Sequence, residues 1–314
     1  MEFPFDLRLE APFDAVGFGT NAVDHLIRVP SFPAFGSKVE FIEYQTAVGG
    51  EIASTMVGLS RLGAKTAYAG RFGGDIEGEM GLASLVGEGV DTEYAEVVKD
   101  ARTQVAFILV DDQTGERTII WRRDKKLVYS LEDAPVDAAF KGRLLHMTAH
   151  DTRACIAMAK AAKKAGIVVS LDVDNVFDGI TDLLPLVDVC IVSTEFPQKL
   201  TGISDHRSAL SEISAHFGCG VTGMTVGREG SIFVCGGEYI ETPGFQVPGG
   251  CADTTGAGDA FRTGFLHGLL TGSSVEESCV IANAVASLKC RLNGARAGLP
   301  SRKELSDFLS QTSR

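Results

Sequence analysis

No apolar run in this chain is long enough to span a bilayer, so no transmembrane helix is expected. Met1 to Glu10 mixes acids with Phe and Leu and lacks the order of regions found in a secretory signal. A cytoplasmic location and no membrane partner are therefore expected. Positive charge is short: 29 Lys and Arg stand against 41 Asp and Glu, a net charge of −12. Proteins that grip a phosphate backbone present a basic face, so nucleic acid is not an expected partner, whereas a small anion needs only a local site. Paired cysteines are missing too. The seven cysteines are scattered without a C-x-x-C pair, and their odd number and mostly apolar surroundings read as reduced, mostly buried thiols. Cys251 is read as a bystander. There is no internal repeat, no low-complexity tract and no linker long enough to separate independent domains. The 314 residues thus imply one large α/β domain, or one such domain with a small addition.

What is present is organised around Asp253-Thr-Thr-Gly-Ala-Gly-Asp259, which runs directly into an apolar-periodic segment, Ala260 to Leu270, with Gly272 just beyond. A Gly-rich turn that opens a helix presents unpaired backbone N–H groups at the positive end of the helix dipole, which makes an anion site. Gly256 and Gly258 carry no Cβ, so the backbone can come close to a ligand. Asp259 stands at the helix start. A carboxylate there is either a first-turn acid or a general base that takes a hydroxyl proton while the N–H groups hold charge developing on a phosphoryl group. The whole seven-residue string favours the second. Along the helix, Ala260, Gly264 and Gly268 form a small-residue stripe for close packing, and Phe261, Phe265 and Leu269 an apolar stripe read as core.

The string resembles the C-terminal signature of the ribokinase family, the PfkB carbohydrate kinases. The resemblance implies transfer of the γ-phosphoryl of ATP to a sugar or nucleoside hydroxyl, with Asp259 as catalytic base and the backbone of Gly256, Ala257 and Gly258 as anion hole. It implies a ribokinase-like α/β fold: a central, mostly parallel sheet with helices on both faces, plus a small β-sheet lid. Further motifs extend it from Gly19 to Gly298. Val48-Gly49-Gly50-Glu51, opening a helix that ends near Leu62-Gly63, resembles the N-terminal signature, with Glu51 where Asn or Lys is frequent and Ser54 where Asn is frequent. The Gly49-Gly50 backbone is expected to meet the substrate. Gly70-Arg-Phe-Gly-Gly-Asp75-Ile-Glu-Gly78 matches a family pattern in which Asp75 reads as a helix N-cap. Thr225-Val-Gly227-Arg-Glu-Gly230 resembles the nucleotide-side loop, and Asn283 an adenine-side residue. Asp253 and Thr255 match positions whose oxygens bind a monovalent cation, K⁺, in ribokinases. Ser193-Thr-Glu195-Phe196 falls where the family carries Asn-x-x-Glu, tied to Mg²⁺ and phosphate. Glu195 is one place off. Either it substitutes with a local shift, or Mg²⁺ is held mostly through ATP oxygens and water.

Earlier in the chain, Ala15 to Gly19 reads as a short strand running into Thr20-Asn21-Ala-Val-Asp24. Asp24 is either a turn acid or a carboxylate at a strand's end aimed at sugar hydroxyls, which it binds strongly; the resemblance implies the sugar role, with Asn21 a further candidate. Val39, Phe41 and Tyr44 alternate as in an exposed strand. Thr103 to Val110 and Arg117 to Arg123 are two more strands, joined by a hairpin loop over 111–116. Together these would form the lid, which excludes water and in the family often carries a dimer surface, so a homodimer through the lid is implied. Alternation sends Arg122 and Arg123 to opposite faces. They are either a solvated basic edge or, as the 2-keto-3-deoxygluconate kinases suggest for Arg122, a grip on an acidic group of the substrate.

From about 143 onward, short apolar strands alternate with helical stretches, which argues a parallel sheet. His146, His150 and Asp151 would have metal-ligand spacing only on a helix, and a strand removes it; Asp151 remains as a lining residue of the sugar pocket. Asp172 and Asp174 face either the phosphates and Mg²⁺ or solvent. Val275 to Leu292 reads as a helix ended by Asn293-Gly294, and Ser301-x-x-Glu304 as a capping box. The expected division is a core of 1–31, 52–100 and 128–314 and a lid of 32–51 and 101–127. The expected function is ATP-dependent phosphorylation of a small sugar or sugar acid. Two alternatives stand beside it: a nucleoside kinase with a base pocket from Phe41, Tyr44 and Phe107, and a non-catalytic sugar-binding relative.

Overall fold

The computed structural model describes residues 1–114 and 117–312. Among these, thirteen strands follow in order: β1 (Phe13–Phe18), β2 (Ala22–Val29), β3 (Glu43–Gly49), β4 (Thr66–Gly73), β5 (Ala95–Val98), β6 (Val105–Asp111), β7 (Arg117–Arg122), β8 (Gly142–Thr148), β9 (Val168–Val173), β10 (Val189–Val192), β11 (Val221–Thr225), β12 (Ser231–Cys235) and β13 (Glu238–Thr242). They form a large sheet in the order β13-β12-β11-β10-β9-β8-β1-β4-β5 and a small one in the order β3-β2-β6-β7. The large sheet is parallel except where β12 runs against β11 and β13. Strands β9 and β10 are buried along their whole length and β8 almost so, as strands covered by helices on both faces must be.

One apolar layer lies under the helices Glu51–Arg61, Ala257–Thr271 and Val275–Lys289, the other under Thr152–Lys164 and His206–Phe217. Phe265 stacks on Phe233 of β12 at 4.9 Å between ring centroids. Phe261, Phe265 and Leu269 are all buried, so the apolar stripe belongs to the core, where truncating such a ring costs about 3–5 kcal/mol. The small-residue stripe lets the helices Ala257–Thr271 and Val275–Lys289 touch: a Cβ on Gly264 would stand 2.6 Å from Ala282 Cα.

Three sequence expectations need correction. Ala22–Val29, assigned with residues 1–31 to the core, pairs instead with β3 and β6 in the small sheet. The chain leaves the large sheet at Gly19, and the apolar run through Val23, Leu26, Ile27 and Val29 continues as a second strand. Val39 and Phe41 lie outside any strand, because β3 begins only at Glu43. The helix expected to reach Leu292 ends at Lys289; the next turn is diverted by hydrogen bonds to the Asp253 loop, including Gly294 N–H to the Asp253 carboxylate at 2.8 Å. Asp75 caps its helix by accepting from Gly78 N–H, and Ser301 and Glu304 make reciprocal capping bonds. Within the hairpin loop, Gly115 and Glu116 lie outside the described residues.

Candidate active site

Two helices begin side by side. Gly50 precedes Glu51–Arg61 and Gly256 precedes Ala257–Thr271, both at positive φ (90° and 73°) and neither with a side-chain cap. Glycine is required at each: a Cβ would stand 2.3 Å from Asn21 Cα at Gly50 and 2.8 Å from Ala295 Cα at Gly256. The helices pack on each other, with Thr263 against Gly58 and Thr55 Oγ1 donating to Asp259 O at 3.4 Å. Two positive dipole ends therefore open at one place. Of the three amides expected to form an anion hole, that of Ala257 is bonded to Thr254 O at 3.1 Å. That departs from the expected set of 256–258: among the described residues the N–H groups without a protein partner here are those of Gly256, Gly258 and Asp259.

Asp259 sits in the first turn, half-buried. Desolvation pushes its carboxyl up to about 7, Glu51 and Asp24 add to the rise, and Arg262 and Arg296 oppose it. Asp24 is buried near the start of β2, not in a turn at the end of β1. Burial raises it to about 6 against the pull of Arg296. Glu51, on the first turn of its helix, accepts from Thr20 Oγ1 at 3.0 Å and lies 3.5 Å from His150 Nδ1. The floor of the cleft is thus three carboxylates with one buried guanidinium behind them. Arg296 donates to Gly49 O at 2.5 Å and to the hydroxyls of Ser54 and Ser84 at 3.2 Å each. It ties the Gly49-Gly50 turn to the segment after Asp253.

Several expected residues have other partners. The amide nitrogen of Asn21 donates to Tyr68 Oη (2.7 Å) and Arg71 O (2.9 Å), so it braces the loop instead of facing a ligand. Arg122 is exposed, in one cross-strand row with Val105 and Val23, whereas Asp24, Ala106 and Trp121 form a row on the opposite, cleft-side face. The arginine that turns inward is Arg123, and it is taken by Asp151 through two bonds of 2.7 and 2.8 Å. Asp151 also accepts from Tyr129 N–H, so its carboxylate is closed to a sugar. Asp172 is buried and paired with Arg262 at 2.5 Å, and Asp174 is exposed. Glu195 is exposed and paired with Lys199 at 2.7 Å, a poor fit for Mg²⁺. The aromatics proposed for a base pocket face the other way: Phe107 stacks on His25 at 4.9 Å, and His25 bonds Tyr44, on the outer side of the lid.

Thr225, Gly227, Gly230, Gly258 and Asn283 line one cavity of about 820 Å³, together with Phe245. Asn283 bonds Cys279 O at 3.1 Å with its amide nitrogen. A smaller cavity of about 380 Å³ lies between the lid and the 251–254 loop, and Arg228, Cys251 and Thr254 border both. Arg117 of the lid hydrogen-bonds Thr254 there. Asp253 accepts from Thr255 N–H and Gly294 N–H at 2.8 Å each. Burial works to raise its carboxyl, but these donors and Lys289 hold it below the usual range.

Sequence reading missed Arg262, Lys289 and Arg296. Each is a lone basic residue in an ordinary stretch, and only packing brings it to the loop. A Gly-flanked Arg296 in Gly294-Ala-Arg-Ala-Gly298 was the sole signal.

Comparisons with known proteins place the whole chain in a family. The chain matches the pfkB family carbohydrate kinases over residues 14–302. It is 30% identical to a ribokinase of Haemophilus influenzae over 298 residues, covering 93% of this chain and 96% of that protein. It is 27% identical to a nucleoside kinase of Methanothermobacter thermautotrophicus, covering 91% and 92%. The structure of Arabidopsis thaliana ribokinase complexed with ribose and ATP superposes with a TM-score of 0.82 at 25% identity, covering 95% of this chain and 98% of that one. The chain belongs to the PfkB family of carbohydrate kinases and has the ribokinase-like fold. It is a phosphotransferase of the class that acts on alcohol groups. Among the described residues no helix is long and apolar enough to cross a membrane.

Proposed function

We propose that this kinase transfers the γ-phosphoryl of ATP to a hydroxyl of a small neutral sugar, with Asp259 as general base. The observation that carries the reading is the Asp259 carboxyl in the first turn of a helix whose opening N–H groups have no partner among the described residues; burial there raises the carboxyl to about 7. A base needs a pKa near the working pH and reach to the proton; the amides supply charge stabilisation where negative charge develops. Asp24 orients the acceptor by accepting from its hydroxyls, with the backbone of Gly49 and Gly50 beside it. Adenosine would occupy the large cavity lined by Thr225, Gly227, Gly230 and Asn283, and Mg²⁺ would be held mostly through the ATP phosphates and water, where it would neutralise phosphate charge.

A neutral acceptor is preferred over a sugar acid because Arg122 lies on the far face of the lid and Arg123 is neutralised by Asp151. A nucleoside acceptor is the second reading. One feature favours it: Trp121, on the cleft-side row with Asp24, leaves an indole open for stacking. The outer face of the lid exposes Tyr44, Phe107 and Ile120, and a second copy of the chain is the proposed cover.

The test is ATP turnover against ketoses, aldoses, sugar acids and nucleosides. Selectivity for neutral sugars supports the reading, selectivity for acids overturns the neutral-acceptor assignment, and selectivity for nucleosides moves the weight to Trp121.

A further inference from the structure

Beneath the anion-hole loop sits a positive charge that belongs to the chain itself. Lys289, the last residue of the helix Val275–Lys289, has no exposed surface. Its Nζ donates to the backbone carbonyl of Asp253 at 2.9 Å. The helix end is fixed from the other side by Gly298, where a Cβ would lie 2.0 Å from Lys289 O. Asp253, Asp259 and Arg117 are the charged groups that act on the ammonium, together with Cys290 next to it in the chain. A buried ammonium is costly unless it is paired, so its retention under this loop calls for a reason.

The resemblance to ribokinases implies a monovalent cation at Asp253 and Thr255. These residues do not fit one here. Both carboxylate oxygens of Asp253 already accept backbone N–H groups, and its carbonyl accepts from Lys289. Among the described residues Thr255 Oγ1 is buried and makes no well-formed hydrogen bond, beyond its proximity to the Asp253 carboxylate, but one hydroxyl is not a cation cage. A second cation on these oxygens would meet the ammonium at short range with little solvent to screen it.

We propose that Lys289 is the resident cation of this kinase, standing where relatives take up a monovalent ion and making activity independent of K⁺. The inference rests on the kinase reading above. Lys289 is a positioning residue: it touches the loop, not the reacting atoms. Its charge anchors the Asp253–Gly256 turn and adds to the positive potential at the amides that meet the phosphoryl group. Being covalent, it neither dissociates nor competes with solution ions.

The test measures turnover and melting temperature of the purified protein in choline chloride, sodium chloride and potassium chloride at equal ionic strength. Wild-type turnover and Tm are expected to be alike in all three. Lys289→Ala, which leaves room for an ion, should lose about 10-fold or more in choline and recover in K⁺ or ammonium, with a Tm raised by the ion that binds. Wild-type activation or stabilisation specific to K⁺ would overturn the proposal. So would a folded Lys289→Ala with full turnover in choline, or a loss that no cation restores. If Lys289→Ala does not fold, Lys289→Gln and the wild-type series decide by the same criteria. If no acceptor is turned over, the failure belongs to the proposed function, and the wild-type Tm series still decides the cation question.

Discussion

The carboxylate of Asp24 lies directly over Gly49: a Cβ placed on Gly49 would stand 2.3 Å from Asp24 Oδ2. Neighbouring strands β2 and β3 bring the two together, and hydrogen is all that position 49 can carry without moving the acid. The obstructing atom is the end of a flexible side chain, so Gly49→Ala folds and Asp24 turns aside. Acceptor kcat/KM should fall about 10-fold or more, equal to about 1.4 kcal/mol of transition-state stabilisation, with the KM for ATP unchanged and Tm shifted little. Steady-state kinetics with each substrate varied checks this. An unchanged acceptor KM and kcat would mean that Asp24 does not meet the acceptor.

Arg296 acts on both carboxyls of the site, and it lowers each. Replacing it with Met leaves Asp24 and Asp259 without that cation and frees Gly49 O, Ser54 and Ser84. Leaving buried acceptors unsatisfied costs about 1–3 kcal/mol, which urea unfolding would read. Because Arg296 holds the carboxyls down, the pH midpoint of kcat/KM should move upward in Arg296→Met. Arg296→Lys keeps the charge but cannot make the three-way clamp, so it should keep the midpoint closer to wild type while losing stability. An unmoved midpoint in Arg296→Met would remove Arg296 from the electrostatics of the site.

The two lid arginines should behave oppositely. Arg122→Ala is an exposed change, expected within about 0.5 kcal/mol in stability and with neutral-sugar turnover close to wild type. Arg123→Ala breaks the pair with Asp151, whose side chains are only 13% and 4% exposed, and should cost about 3–5 kcal/mol. Thermal melts and the acceptor KM of both variants check this. A sugar-acid KM raised by Arg122→Ala alone would restore the acid-gripping role.

The contrast between these residues shows what the sequence makes legible. Asp259 and Gly256 could be placed because their chemistry is local: a glycine turn and the helix it opens lie within seven residues. The large sheet was legible for the same reason, in the apolar runs that became β8, β9 and β10. Asp24 stands out in the sequence only as an acid after a strand; its place within β2 is not legible, since alternation over Val23 to Ile27 is mixed and the strand's partners are β3 and β6, the latter about 80 residues on. Which of Arg122 and Arg123 faces the cleft depends on register, and a one-residue choice reverses it. Lys289 carries no local mark, and Arg296 only its flanking glycines. Their partners, Asp253 and Gly49, are 36 and 247 residues away, and only the folded chain reveals them.

Burial of Asp259 also sets a stability cost with a definite sign. Its carboxyl titrates at about 7 when folded and near the ordinary value of about 4 when unfolded. Between those values the folded state holds a proton that the unfolded state has released, so stability falls as pH rises through the window. Asp259→Asn removes the penalty and should raise Tm by a few degrees at about pH 8 while stopping the reaction.

The most direct test of the account is single-turnover phosphoryl transfer to the acceptor found by the panel, followed from about pH 5 to 9 in wild type and in Asp259→Asn. The account predicts a wild-type rate that rises with pH through a midpoint of about 7. It predicts a loss of about 10²–10⁴ in the variant, with ATP binding retained. Transfer undiminished in Asp259→Asn would contradict it.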